Sequence, residues 1–223
     1  MSAFRVIVIG GTGQVGGAVV RELLAAAACR EIVMVTRRPV AAADPARVRN
    51  VVMDTGAADF EARAADEARK VAAMGDRVAA VSCVGVGSGT FRWNEEELKK
   101  LEIGVVGAFA RGVRAAGVNQ FCLLSAVGSN AKSRVKYIRV MGLKEETAQA
   151  VGFPRLAVFQ PGIIAGNAHS PAWSVWLGRL IPDPWGNIDQ QDIGKAFVAE
   201  IVKNGGQTGV AFFNNQAMRR LIQ

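Results

Sequence analysis

The sequence predicts an α/β fold, a Rossmann-like doubly wound parallel sheet with helices on both faces. Three observations carry this. Short, β-rich apolar runs recur along the 223 residues. Stretches of helix-forming residues separate them. A glycine-rich turn follows the first run directly, where a strand would feed a helix.

Taken in order, Phe4 to Ile9 reads as the first strand, closed by Gly10-Gly11-Thr12-Gly13. Val15 to Ala28 follows with helix formers. Ile32 to Thr36 is a second strand, ended by Arg37-Arg38-Pro39, and Val51 to Met53 a third, ended by Asp54. Val78 to Val84 is a fourth, running into glycine-rich chain. One long helix is expected from Asn94 to Ala116, stopped by Gly117. Phe121 to Ser125 and Leu156 to Gln160 give the fifth and sixth strands, the latter halted by Pro161-Gly162. Gln191 to Lys203 is helical in pattern, and Val210 to Phe213 is a last short strand. No internal repeat or linker interrupts the series, so residues 1–223 are expected to form one domain. Residues about 167–190 and 204–223 would make a small C-terminal cap.

Composition narrows the function classes. Half the residues are hydrophobic, which excludes disorder. One histidine, His169, removes Ser-His-Asp hydrolases and most zinc sites unless it is the member involved, and no metal is expected. Three widely spaced cysteines, Cys29, Cys83 and Cys122, read as small buried residues of a reduced compartment. The run from Leu156 to Gly178 is broken by Pro161, Asn167 and Pro171, so no membrane span is expected, and no signal peptide fits the start. An intracellular protein is expected, of the cytoplasm or the mitochondrial matrix. The net charge is +8, and residues 103–182 hold nine basic and two acidic side chains. That segment suits an anionic ligand or is simply a solvated face. Too few aromatics interleave with it for nucleic-acid binding.

The strongest motif is the first turn. Gly10-Gly11-Thr12-Gly13-Gln14-Val15-Gly16 places three glycines between a strand and a helix. They allow a tight turn, close approach of backbone N–H groups to a pyrophosphate, and close helix–strand packing. The helix N-terminus adds unpaired N–H groups and partial positive charge. A dinucleotide is the expected ligand. An NAD site would place Asp or Glu about 20 residues further on, against the ribose 2′-hydroxyl. Thr36, Arg37 and Arg38 stand there instead, so either a 2′-phosphate is bound, making the cofactor NADP(H), or the arginines are solvated.

These blocks, with Leu123-Leu124-Ser125 and Phe159-Gln160-Pro161-Gly162, resemble the short-chain dehydrogenase/reductase superfamily. The resemblance covers about residues 4–202. It is nearest to the atypical NAD(P)H-binding branch that includes the Tat-interacting oxidoreductase. It implies that Asp54 lies near the adenine, that Cys83, Val84 and Gly85 line the cofactor, and that Pro161 and Gly162 lie beside the nicotinamide. It also implies a catalytic Ser after the fifth strand and a Tyr-x-x-x-Lys. Ser125 fits, with Ser129 behind it, and Tyr137 is the chain's only tyrosine. The lysine position, however, is Met141, and Gln160 stands where relatives commonly carry Arg.

A tyrosine near its reference pKa of about 10 is protonated at neutral pH, and a nearby ammonium is the usual means of lowering that value. Lys144 returns to the face of Tyr137 but about 10.5 Å along the helix, which reads as out of reach. Lys132 could fold back. Two function classes follow. One is an NADP(H)-binding regulatory or assembly subunit, with a protein partner and weak or no reductase chemistry. The other is an active oxidoreductase reducing a small, anionic carbonyl substrate. Trp173, Trp176 and Trp185 would form a lid over the nicotinamide end, a partner surface or local packing, and His169 reads as a loop residue or a substrate contact.

Overall fold

The computed structural model describes residues 2–86, 93–165, 181 and 183–223. His169, Trp173 and Trp176 lie outside the described residues.

Seven strands form one parallel sheet: β1 (Phe4–Ile9), β2 (Cys29–Thr36), β3 (Val48–Val52), β4 (Arg77–Ser82), β5 (Gln120–Leu124), β6 (Arg155–Phe159) and β9 (Gly209–Phe213). Their order is β3-β2-β1-β4-β5-β6-β9. Two short strands, β7 (Ile163–Ala165) and β8 (Asn187–Asp189), pair separately. The helices are α1 (Gln14–Ala25), α2 (Phe60–Ala72), α3 (Glu95–Lys99), α4 (Val106–Ala115), α5 (Lys136–Ala150), α6 (Gln190–Asn204) and α7 (Asn215–Leu221).

Side-chain alternation builds two cores on one sheet. Ile7, Ile9, Val33, Val35, Phe121, Leu123, Leu156 and Val158 face α2, α4 and α5. Val6, Val8, Ile32, Met34, Val81, Cys122, Ala157 and Phe159 face α1, α6 and α7. Phe159 stacks on Phe197 with ring centroids 3.8 Å apart, fixing α6 to β6. At the amino end of the strands, Arg155 Nε donates to Glu200 Oε1 at 2.7 Å, with the two side chains 8% and 0% exposed.

The long helix expected over 94–116 is divided. Between α3 and α4, residues Lys100–Val105 form a π-helix. The wider turn rotates Glu102 inward, where its Oε1 accepts from Val86 N at 3.2 Å and its Oε2 from Lys144 Nζ at 2.8 Å. A π turn inside an α-helix often marks a functional position. α2 and α7 were not read from the sequence.

The strand order reverses between β1 and β4, so the loops leaving these two strands diverge and open a crevice at their carboxyl ends. In open α/β sheets that crevice is where ligands bind. The opposite rim is closed by Asn215, which is fully buried. Its Oδ1 accepts from Gly162 N at 3.0 Å and its Nδ2 donates to Gly186 O at 2.8 Å.

Candidate functional site

Two adjoining cavities occupy the crevice and share Gly13, Cys83, Val84 and Gly85. The smaller, about 250 Å³, lies toward β2 and is lined by Gly10, Thr12, Thr36, Arg37 and Thr55, among others. The larger, about 580 Å³, lies toward β5 and α5 and is lined by Gln14, Val15, Gly16, Ser125, Tyr137, Met141, Lys144 and Gly162, among others.

The three motif glycines do different work. Gly10 has φ +80°, and a Cβ there would come within 2.5 Å of the Cys83 carbonyl carbon. A Cβ on Gly16 would meet Gly10 O at 2.1 Å, so this glycine lets α1 begin against β1. Gly13 has only Gly10 O within reach, at 3.3 Å, and otherwise opens into both cavities. Gln14 Oε1 is buried beside this opening and has no hydrogen-bond partner among the described residues.

Around the smaller cavity, Thr36 Oγ1 donates to Arg38 O at 2.7 Å and accepts from Asn50 Nδ2 at 2.7 Å, which braces the turn after β2. Arg37 lines the cavity, and among the described lining residues there is no carboxylate. Arg38 and Asp54 are not among the lining residues. Asp54 instead accepts from Gly56 N at 2.9 Å as a turn residue, and Thr55 takes the place at the wall. Pro161 also lies off the wall, its carbonyl accepting from Val127 N at 3.0 Å.

In the larger cavity, α5 presents Tyr137, Met141 and Lys144 on one face, at i, i+4 and i+7. Lys144 therefore lines the same cavity as Tyr137. Its ammonium is engaged by Glu102 and by Val84 O at 2.9 Å, with both ionic side chains 2% exposed. Met141 packs with Leu98, Ala126 and Val140. Burial among these side chains, with the Glu102 carboxylate adding to it, pushes the Tyr137 phenol up to about 12.

Ser125 is buried and Oγ donates to Glu145 Oε1 at 2.5 Å. Gln160 Nε2 donates to the same oxygen at 2.9 Å. Ser129 Oγ lies 3.1 Å from Ser125 Oγ and donates to Ala126 O at 2.6 Å. The three cysteines are buried and unpaired, and burial pushes the Cys83 thiol up to about 12, which makes it unreactive. Among the described residues no cluster suits a metal ion, and no helix is long and apolar enough to cross a membrane.

Thr55, Glu102, Lys144, Glu145 and Gln160 thus join the site or its immediate support. The signal for Glu145 was one residue beyond Lys144 on the same helix. Glu102 had none, because a regular helix would have pointed it elsewhere.

Among known proteins, FMP52-1 of Scheffersomyces stipitis, named as mitochondrial, is 31% identical over 172 residues, covering 76% of this chain and 70% of its own. The chain belongs to the FMP52 family. The FMP52 protein of Emericella nidulans, likewise named mitochondrial, is 30% identical over 207 residues, covering 87% of this chain and 85% of its own. No protein-family model matches.

Solved structures share the fold of this FMP52 relative. MoeE5 bound to UDP-glucose and NAD superposes with TM-score 0.69 at 15% identity, covering 94% of this chain and 76% of its own. The Bordetella bronchiseptica enzyme WbmH bound to NAD+ gives 0.69 at 12%, covering 95% and 76%. A mutated uronate dehydrogenase gives 0.66 at 14%, covering 96% and 74%. The likeness establishes the Rossmann-like sheet and helices.

Proposed function

We propose that this protein is a single-domain, NADP(H)-binding member of the atypical short-chain dehydrogenase/reductase group, near the Tat-interacting branch. It would serve as a cofactor-binding regulatory or assembly subunit with weak or no reductase chemistry. The observation that carries this is the apolar setting of Tyr137: methionine one turn beyond it, the Lys144 ammonium held by Glu102, and the phenol pushed up to about 12.

The residues present fit the cofactor. Gly13 is open to both cavities, and the start of α1 offers unpaired N–H groups to the pyrophosphate. The Gln14 amide oxygen, without a partner among the described residues, lies beside it. Arg37, on a wall without carboxylates, suits a 2′-phosphate. When bound, the dinucleotide supplies hydride transfer at its nicotinamide ring. Toward that ring the chain offers Tyr137 as a hydrogen-bond donor, Ser125 beside it, and Gly162 on the rim held by Asn215.

A second reading, an active reductase of a small anionic carbonyl, is favoured by Ser125 and Tyr137 lining one cavity and by the basic middle of the chain. Titrating the protein with NADPH and NADH by calorimetry, then following NADPH consumption over a panel of carbonyl compounds, separates the two. Tight NADPH binding with negligible turnover is expected. Efficient turnover abolished by Tyr137→Phe would establish the reductase. The names of the relatives support a mitochondrial address, which subcellular fractionation tests.

A further inference from the structure

The turn that leaves β2 is held from the neighbouring strand by one side chain. Asparagine is disfavoured inside strands, yet Asn50 stands in the middle of β3, opposite Met34 in the parallel register. Its Nδ2 donates to Met34 O at 3.1 Å and to Thr36 Oγ1 at 2.7 Å, and its Oδ1 accepts from Val40 N at 3.1 Å. The reverse amide orientation would set oxygen against the Met34 carbonyl and NH2 against the Val40 N–H, so the assignment is fixed. Thr36 passes the contact on, its hydroxyl donating to Arg38 O at 2.7 Å. The β2–β3 ladder ends at Thr36, whose carbonyl accepts from Met53 N at 2.9 Å. Beyond it, Arg38 O and Val40 N are the groups of residues 37–40 that hydrogen-bond among the described residues. Both bonds lead back to Asn50.

Between those two tied groups stands Pro39, which fixes its own φ and keeps Arg38 extended. The turn is therefore a stiff arm with both anchors on one amide. Its two arginines are adjacent, and only one of them, Arg37, lines the smaller cavity. The Arg37 guanidinium makes no hydrogen bond or ion pair to the protein among the described residues. Nothing at the side chain's own end holds it, so its place at the wall is set by its backbone. A turn cut loose from Asn50 could swing Arg37 away from the cavity.

We infer that Asn50 is a positioning residue for cofactor choice: by bonding Met34, Thr36 and Val40 together it keeps Arg37, and not Arg38, at the wall where a 2′-phosphate would lie. It touches no ligand itself and acts through Arg37. This rests on the NADP(H) reading proposed above.

The test titrates NADPH and NADH separately into the full chain by calorimetry at fixed salt. Asn50→Val suits a strand but removes all three bonds. If Arg37 is then in place about a tenth of the time, NADPH affinity should fall about tenfold, while NADH affinity changes less than about twofold. A merely structural role would weaken both dinucleotides alike, and that outcome overturns the inference. So does a folded Asn50→Val protein that keeps the full NADPH preference. A second readout is the coupling to Arg37. In an Arg37→Ala background, Asn50→Val should weaken NADPH no further, because the group it positions is gone. A loss that adds in full to that of Arg37→Ala overturns the inference. Should Asn50→Val fail to fold by circular dichroism, Thr36 decides. Thr36→Val removes the relay to Arg38 O and should reduce the preference, whereas Thr36→Ser keeps the hydroxyl and should retain it. An unchanged preference in Thr36→Val, or equal losses in both Thr36 variants, overturns the inference. Equal NADPH and NADH affinities in the unmodified protein defeat the cofactor reading and this inference with it. An NADPH preference that survives in the variants defeats this inference alone.

Discussion

Lys144 and Glu102 form an ion pair across the floor of the crevice, Nζ to Oε2 at 2.8 Å, with each side chain 2% exposed. It joins α5 to the π turn, and through Val84 O and Val86 N it fixes the loop leaving β4. Removing one partner leaves a charge buried and alone. Lys144→Met should therefore cost about 3–5 kcal/mol of unfolding free energy in a denaturant titration. The double variant Lys144→Met with Glu102→Leu should recover most of that loss, because apolar replacement of a buried pair is often neutral. A single variant as stable as the parent would mean that the pair contributes nothing.

The chain's only tyrosine makes the state of the site directly readable. Ultraviolet absorbance titration should show the Tyr137 phenol ionising at about 12 in the folded protein. In denaturant the midpoint should return to about 10. Between those values the unfolded chain has lost a proton that the folded chain retains, so stability falls as pH rises from about 10 to about 12, and is unaffected by this group below that window. Met141→Lys would place an ammonium one turn away and pull the folded midpoint down, at a cost in stability because the position is apolar. An unmoved midpoint in a folded variant would show that position 141 does not reach the phenol.

The two arginines after β2 should be separable. Both arginines are exposed, but Arg37 lines the smaller cavity and Arg38 is absent from its wall. Charge-assisted hydrogen bonds are worth about 1.5–3 kcal/mol, so Arg37→Ala should lower NADPH affinity about tenfold or more while leaving NADH affinity nearly unchanged. Arg38→Ala should change either by less than about twofold by the same scale. Parallel calorimetric titrations decide it; equal losses in the two variants would contradict this division.

Glycine substitutions along the first turn should separate ligand contact from folding. A side chain at Gly13 points into the crevice and meets protein only at 3.3 Å, so Gly13→Val should fold, by circular dichroism, yet lose dinucleotide binding. Gly16→Val should instead lower the melting temperature sharply, since its Cβ overlaps Gly10 O at 2.1 Å. A Gly13→Val protein that binds NADPH normally would place the pyrophosphate elsewhere.

What sequence reasoning could read follows from which interactions are local. The strands were legible because full burial between two helical layers demands continuous apolar runs such as Val6 to Ile9. The glycine turn was legible because its geometry is set within seven residues. Ser125 and Tyr137, named through the family resemblance, both line the larger cavity. Glu102 was not legible. Its inward turn depends on a π-helix that only tertiary packing selects, and its partner Lys144 lies 42 residues away. Asp54 illustrates the converse: an acidic residue after a strand suits a ligand and a turn equally, and here its oxygen closes on Gly56 N. α2 went unread although its one-sided pattern, with Phe60, Ala64, Ala68 and Val71 buried, was present in the sequence.

The clasp between Gly162 and Asn215 makes one wall of the crevice depend on distant chain. The amide of Gly162 finds its acceptor 53 residues further on, on a helix only seven residues long. The glycine turn at the other side closes within a few residues, so the two sides of the crevice are built by interactions of very different range. Loosening that short helix would open the far rim while leaving the turn after β1 in place.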